Sequence, residues 1–282
     1  LLTTGAMKFE ILHRTRYSYA SPVRESFNEV RLQPVSNEHQ QVESFLLKVL
    51  PSTRLRKYRD FYSNCVYHFE IPEPHPILTI ESRLQVTTRP NSLLPRDARP
   101  ADIARLPESL QHERCYDFVQ GSRYVELAPE TWRLAVDATH GERDAWQCAL
   151  RLMEYVHGTL AYQPNSTHVH THMRDVLAQR RGVCQDFAHV LLGLCRSLKI
   201  PALYVSGYLA TQAASATHAW TEVFIPDVGW QGLDPTHNCQ PDETYVKLAI
   251  GRDYADVAPV SGTYKGTTER TLSVEVKIEN KG

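Results

Sequence analysis

The stretch Arg180-Arg181-Gly182-Val183-Cys184-Gln185-Asp186-Phe187-Ala188-His189 constrains this chain more than any other. Gly182 precedes an apolar-periodic run and Lys199-Ile200-Pro201 stops it, so the pattern predicts a helix over 184–198. At about 100° per residue, Phe187, Leu191, Leu194, Cys195 and Leu198 share one stripe with Cys184. The stripe must face a core. Cys184 therefore sits inward at the helix N-terminus, among free N–H groups and the positive end of the dipole. Both favour a thiolate, and with a histidine partner a cysteine so placed falls from about 8.5 to roughly 3.5–7.5 in pKa. A glycine at 182 also lets backbone N–H groups approach a developing oxyanion. Helix position alone leaves the alternative of a small buried hydrophobe open. That role fits Cys195, deep in the same stripe.

A hairpin further along supplies partners. His218 opens a strand over 218–225 and Asp234 closes the next, with Phe224-Ile225-Pro226-Asp227-Val228-Gly229 as the turn signal between them. Two groups meet directly across a hairpin when their separation is even and the turn lies at its midpoint. The separation is 16 and the midpoint is Pro226. We therefore expect a loop centred near Pro226. A two-residue loop at Asp227-Val228 would set Asp234 against Thr221 and put the two groups on opposite faces. Cys184 would then attack a carbonyl, His218 would hold the proton for a leaving amine, and Asp234 would fix the imidazole tautomer.

The rest of the chain frames this set. The 282 residues are 42% hydrophobic and 22% charged, ordinary values for a globular chain with a sizeable core. A net charge of −1 gives no pull toward nucleic acid or an anionic membrane surface. No apolar run approaches the roughly 20 residues that span a bilayer. Met7 reads as the natural first residue, with 1–6 an appended remnant. None of the six cysteines forms a Cys-x-x-Cys pair. Reduced thiols and a cytoplasmic location are the expectation.

Residues 7–95 read as a β domain. Phe9-Ile11 and Tyr17-Tyr19 alternate with polar residues; runs follow over 42–50, 58–62, 65–71 and 77–87, parted by turn signals such as Ser21-Pro22 and Gln33-Pro34. This is the spacing of an antiparallel sandwich or barrel. A proline-rich linker over 89–100 leads into a second unit, 96–282, whose catalytic core spans about 143–260. Helices are expected over 129–139 and 143–160, with a helix-leaning stretch over 101–120. Strands are expected over 202–210, 218–225, 229–233, 244–250 and 271–278. The class is α+β.

Together Gly182-Val183-Cys184-Gln185-Asp186-Phe187, Val205-Ser206-Gly207-Tyr208, His218-Ala219-Trp220-Thr221-Glu222 and Trp230-Gln231-Gly232-Leu233-Asp234-Pro235-Thr236 resemble the transglutaminase-like superfamily. The resemblance is dense over 162–236. The β-rich start resembles the N-terminal region accompanying this core in bacterial proteins taken for cysteine proteases. It implies a papain-like fold, with Cys184 as nucleophile, His218 as base and Asp234 as orienting acid. It also implies a peptide or protein substrate, whose amide bond is hydrolysed or whose acyl group passes to an amine. A non-catalytic peptide-binding module is the remaining alternative. Animal members use calcium; no Asp-rich loop is present here, so no cofactor is expected. The β-rich half leaves self-association into a homo-oligomer open.

Four further residues are candidates for substrate or oxyanion contacts: Tyr162, Gln185, Asp186 and Trp220. For Asp186 a structural place at the helix start is the stronger expectation. Trp220 shares a face with His218 and is expected to shield it from water. His168, His170 and His172 alternate, and on an extended segment they would share a face as zinc ligands do. A polar stretch ahead of the helix is the plainer reading. His189 is expected to be structural.

Overall fold

A computed structural model describes residues 5–107, 115–211, 214–267 and 269–282. Its spine is β1 (Met7–Gln33), one strand of 27 residues. Phe9, Ile11, His13 and Thr15 are all buried, the period-2 face of a strand. The Ser21-Pro22 signal is not a turn. Pairing slips between Ser18 and Val23 and again between Arg24 and Phe27, and Glu25 takes φ +49°. Proline lacks a ladder N–H and is tolerated where pairing is already broken. The signal thus becomes a bend that carries β1 through two layers.

The first half of β1 lies between β5 (His75–Thr88) and β13 (Arg270–Asn280), with β2 (Gln40–Leu50) beyond β5. The second half lies between β4 (Cys65–Ile71) and β12 (Val260–Lys265), with β3 (Arg56–Arg59) beyond β4. Every pairing is antiparallel. Phe9, Val30, Leu32, Phe69, Leu78 and Ile80 fill the space between the layers.

The final strand differs from expectation. The sequence assigns 271–278 to the second unit's sheet, whereas β13 pairs with β1 from Phe9↔Asn280 to Tyr19↔Arg270. The inner edge of a long bent strand needs covering, and β13 covers it. The C-terminal segment therefore returns to the first sheet.

The second unit has α1 (Pro129–Thr139), α2 (Ala145–Thr159), α3 (Met173–Gln179) and α4 (Cys184–Ser197), all near their expected bounds where the sequence foresees them. The helix-leaning stretch over 101–120 gives only short 3-10 turns at Ile103–Arg105 and Tyr116–Val119; its residues 108–114 lie outside the described residues. A four-stranded antiparallel sheet follows in the order β10-β9-β8-β11: β8 (Ala202–Thr211), β9 (Ala214–Ile225), β10 (Gly229–Leu233) and β11 (Tyr245–Gly251). The single stripe expected for α4 is too modest. Residues from Gln185 to Arg196 are all buried, because β8 and β9 cover one side and α1, α2 and α3 the other. Even Arg196 is enclosed, its guanidinium donating to the carbonyls of Gln120, Ala202 and Arg252. Tyr208, Val246 and Leu248 of the second sheet join the β-domain core, so the halves are packed on each other. Among the described residues no helix is long and apolar enough to cross a membrane.

Candidate active site

The start of α4 is held by its own sequence. Val183 is extended, and its N–H donates to Asp186 Oδ2 at 2.8 Å, which also accepts from Thr167 Oγ1 at 2.6 Å. Burial pushes the Asp186 carboxyl up, although both bonds act against this. A Cβ on Gly182 would stand 2.6 Å from Asp186 Cβ, so glycine at 182 is what lets the carboxylate lie under the turn. Asp186 is thus a helix-start residue. A two-residue parallel pair, β6 (Ala161–Tyr162) with β7 (Arg181–Gly182), sets Tyr162 beside Gly182. The Tyr162 side chain is 56% exposed, and burial and the charge of Cys184 raise its pKa. Gln185 donates its side-chain amide to the Val169 carbonyl at 3.1 Å, which ties α4 to the preceding loop.

Cys184 is partly exposed, whereas Cys65, Cys115, Cys148 and Cys195 are buried; among the described residues no disulfide joins any of them. Burial pushes Cys148 up to about 12 and raises Cys195 as well. Cys184 and His218 line one cavity of about 300 Å³.

His218 Nε2 lies 2.7 Å from Asp234 Oδ2, with Asp234 fully buried. Nδ1 is thereby left as the nitrogen for the thiol. The register that brings them together is not the expected one. Ile225 pairs with Gly229 and Thr221 with Leu233, so the loop is Pro226-Asp227-Val228, centred on Asp227. Continued by one step, this register sets Trp220 opposite Asp234, and His218 is a diagonal neighbour on the same face. Side chains of this length bridge a diagonal. Even parity was the requirement that mattered.

Asp234 gathers more donors than His218 alone. Oδ2 also accepts from His237 Nδ1 at 2.8 Å and from Tyr245 Oη at 2.7 Å. Oδ1 accepts from the N–H groups of Thr236 at 2.8 Å and His237 at 3.3 Å. Burial would raise the carboxyl, but the bonds from His218 and His237, the charge of His218 and the bond from Tyr245 hold it well below the usual carboxylate range. Burial would likewise lower His218. The bonds to Asp234 and Cys184, and their charges, outweigh it and raise the imidazole to about 9. Trp220 is buried, with its ring 6.3 Å from that of His218 and near parallel.

The histidine alternation is not an extended strand. Thr171 N bonds to the His168 carbonyl, closing a turn. His170 Nδ1 pairs with Tyr124 Oη at 2.9 Å, and the His172 ring packs against Tyr124. His189 is wholly buried between Tyr124 and Tyr204, a structural place. Among the described residues, the set whose ligand atoms could hold a metal is His218, Asp234 and His237, within 4.8 Å of one another. A zinc-like ion there would displace the imidazole–carboxylate bonds.

Sequence reasoning missed His237 and Tyr245. An Asp-Pro-Thr-His run is an Asx-turn signal, in which the aspartate caps N–H groups two and three residues on, and that would have drawn His237 to Asp234. Tyr245 comes from another strand and leaves no local signal.

The chain is similar to known proteins over both of its halves. Residues 9–87 match the bacterial transglutaminase-like N-terminal region, and residues 133–235 match the transglutaminase-like superfamily. An uncharacterised protein of Mycobacterium leprae is 36% identical over 96% of this chain and 98% of its own length. A protein-glutamine gamma-glutamyltransferase of Pseudomonas aeruginosa is 29% identical over 43% of this chain and 20% of that protein. Among solved structures, a candidate cysteine protease from Cytophaga hutchinsonii has a TM-score of 0.82 at 24% identity, covering 98% of this chain and 91% of that one. That last likeness is one of fold.

Proposed function

Because the chain belongs to the transglutaminase-like superfamily, we propose that it breaks amide bonds through a thioacyl-enzyme formed on Cys184. The observation that carries the reading is the buried His218–Asp234 pair at 2.7 Å, opening on the cavity that holds Cys184. The Cys184 thiolate attacks the carbonyl carbon. Among the first N–H groups of α4, those of Asp186 and Phe187 are taken by the Val183 carbonyl, leaving those of Cys184 and Gln185 for the oxyanion. The C–N bond then breaks as His218 gives its proton to the leaving amine. In the second step His218 takes a proton from water, the hydroxide adds to the thioester, and the acid leaves with the thiolate restored.

Hydrolysis is the first reading, since the cavity is open and water is always at hand. Acyl transfer is the second, favoured by the likeness of part of the chain to a protein-glutamine gamma-glutamyltransferase. Turnover of a panel of peptidyl coumarin amides, with and without an added primary amine, separates them. Acid product unchanged by the amine means hydrolysis; faster turnover with amide product means transfer. Cys184→Ala should lower either activity by at least about 10³-fold. Activity that survives this substitution would show that Cys184 is not the nucleophile, and no turnover of any substrate by the parent chain would favour a binding module.

A further inference from the structure

The cavity over Cys184 is not built by the catalytic core alone. His13, Thr15 and Tyr17 of β1 and Leu272 and Val274 of β13 form its far side. The pairing makes this one surface: Tyr17 stands opposite Leu272 and Thr15 opposite Val274, so all four side chains leave the same face of the sheet. Leu272 and Val274 are 53% and 50% exposed. Apolar residues at alternate positions on an exposed strand face, beside a nucleophile, mark a surface that a ligand covers. Val169 and Val260 extend it.

The charge pattern is as informative. Among the described lining residues there is no Asp, Glu, Lys or Arg. The floor is polar but neutral: His13 bonds to Tyr208 Oη at 2.9 Å and to Thr15 Oγ1 at 3.2 Å, and burial lowers His13 to about 4. Apart from the Cys184–His218 pair at the nucleophile itself, a charged side chain entering this cleft would lose water and meet no counter-ion. At about 300 Å³ the cleft is small for a ligand site and suits one residue at the scissile bond. The amine part of a substrate departs after the first step, whereas the acyl part stays bonded to Sγ, inside the cavity.

We propose that β1 and β13 form an acyl-side specificity site, selecting substrates with an uncharged aliphatic or aromatic residue next to the scissile carbonyl. This rests on the reading of Cys184 as nucleophile. The β domain thereby acts as half of the substrate cleft.

The test uses the full chain and peptidyl acyloxymethyl ketones with Phe, Leu, Glu or Lys beside the ketone. The rate of Cys184 modification is read by mass spectrometry, with iodoacetamide, which carries no side chain, as the reference for each variant. The Phe and Leu reagents should react about tenfold or more faster than the Glu and Lys reagents. In a Leu272→Asp/Val274→Asp variant the Phe-to-Lys ratio should fall about tenfold or more, and a milder Leu272→Ser/Val274→Ser variant should shift it the same way. Equal rates across the panel, or a ratio unmoved by both variants, would overturn the specificity site while iodoacetamide still marks Cys184. Failure of iodoacetamide to mark Cys184 ahead of the other cysteines would overturn the nucleophile itself, and this inference with it.

Discussion

Asp234 Oδ2 is the most heavily bonded side-chain oxygen in the site, with His218, His237 and Tyr245 all directed at it. The bond between it and His218, with the bond to and charge of Cys184 and its own charge, holds His218 protonated at neutral pH. With the imidazole raised to about 9, the acid that protonates the leaving amine is present below that pH and lost above it. We predict that kcat/KM falls on the alkaline side near pH 9. Asp234→Asn should move that limb to lower pH and cut kcat/KM by about 10³–10⁴-fold; a limb left in place would show that the carboxylate does not set it. Tyr245→Phe removes one of three donors and should cost about tenfold in kcat with KM little changed. At this scale the meeting of His218 and Asp234 beside Cys184 was legible because parity and helix position are local properties. The hairpin register was less so. Asp227 at φ +65° and Gly229 at φ +95° shape a three-residue loop, and left-handed backbone at a non-glycine residue leaves little trace in composition.

At the scale of elements, the start of α4 is a single lock made of Gly182, Val183 and Asp186. A methyl group at 182 has no room above Asp186. Gly182→Ala should therefore lower stability by about 1–3 kcal/mol in urea unfolding, and it should slow alkylation of Cys184 by displacing the helix start. A variant as stable and as reactive as the parent would show that the contact relaxes freely. Helix bounds were the most legible elements, since Pro129, Gly182 and Pro201 punctuate them. Strand β1 was the least. Its Ser21-Pro22 pair is locally a turn, and only long-range pairing to β4, β5, β12 and β13 keeps it extended.

For the whole molecule, the return of β13 to β1 joins the chain's two ends and closes the cleft from the β side. No local pattern distinguishes a strand that pairs with its neighbours from one that pairs with residues 7–33, so this lay beyond the sequence. Two buried histidines tie the same packing to pH. Burial lowers His13 to about 4 and His189 to about 3. Between those values and the usual 6.5 the unfolded chain binds protons that the folded one does not, so the contribution of these two rings is full above about 6.5 and declines as pH falls, while His218, raised to about 9, opposes it in part. The urea midpoint at pH 5 should lie below that at pH 7.5, by the equivalent of on the order of 3 kcal/mol. His13→Asn should flatten the dependence. An unchanged midpoint would mean that both rings are protonated in the folded chain.

In the proposed chemistry Cys184 is a nucleophile made by its setting. Limiting iodoacetamide at pH 6, followed by peptide mapping and parallel activity measurement, tests it most directly. Cys184 should be alkylated first, activity should be lost in step, and Asp234→Asn should slow this labelling selectively. Earlier labelling of Cys239 or any buried cysteine, with activity tracking that residue instead, would contradict it.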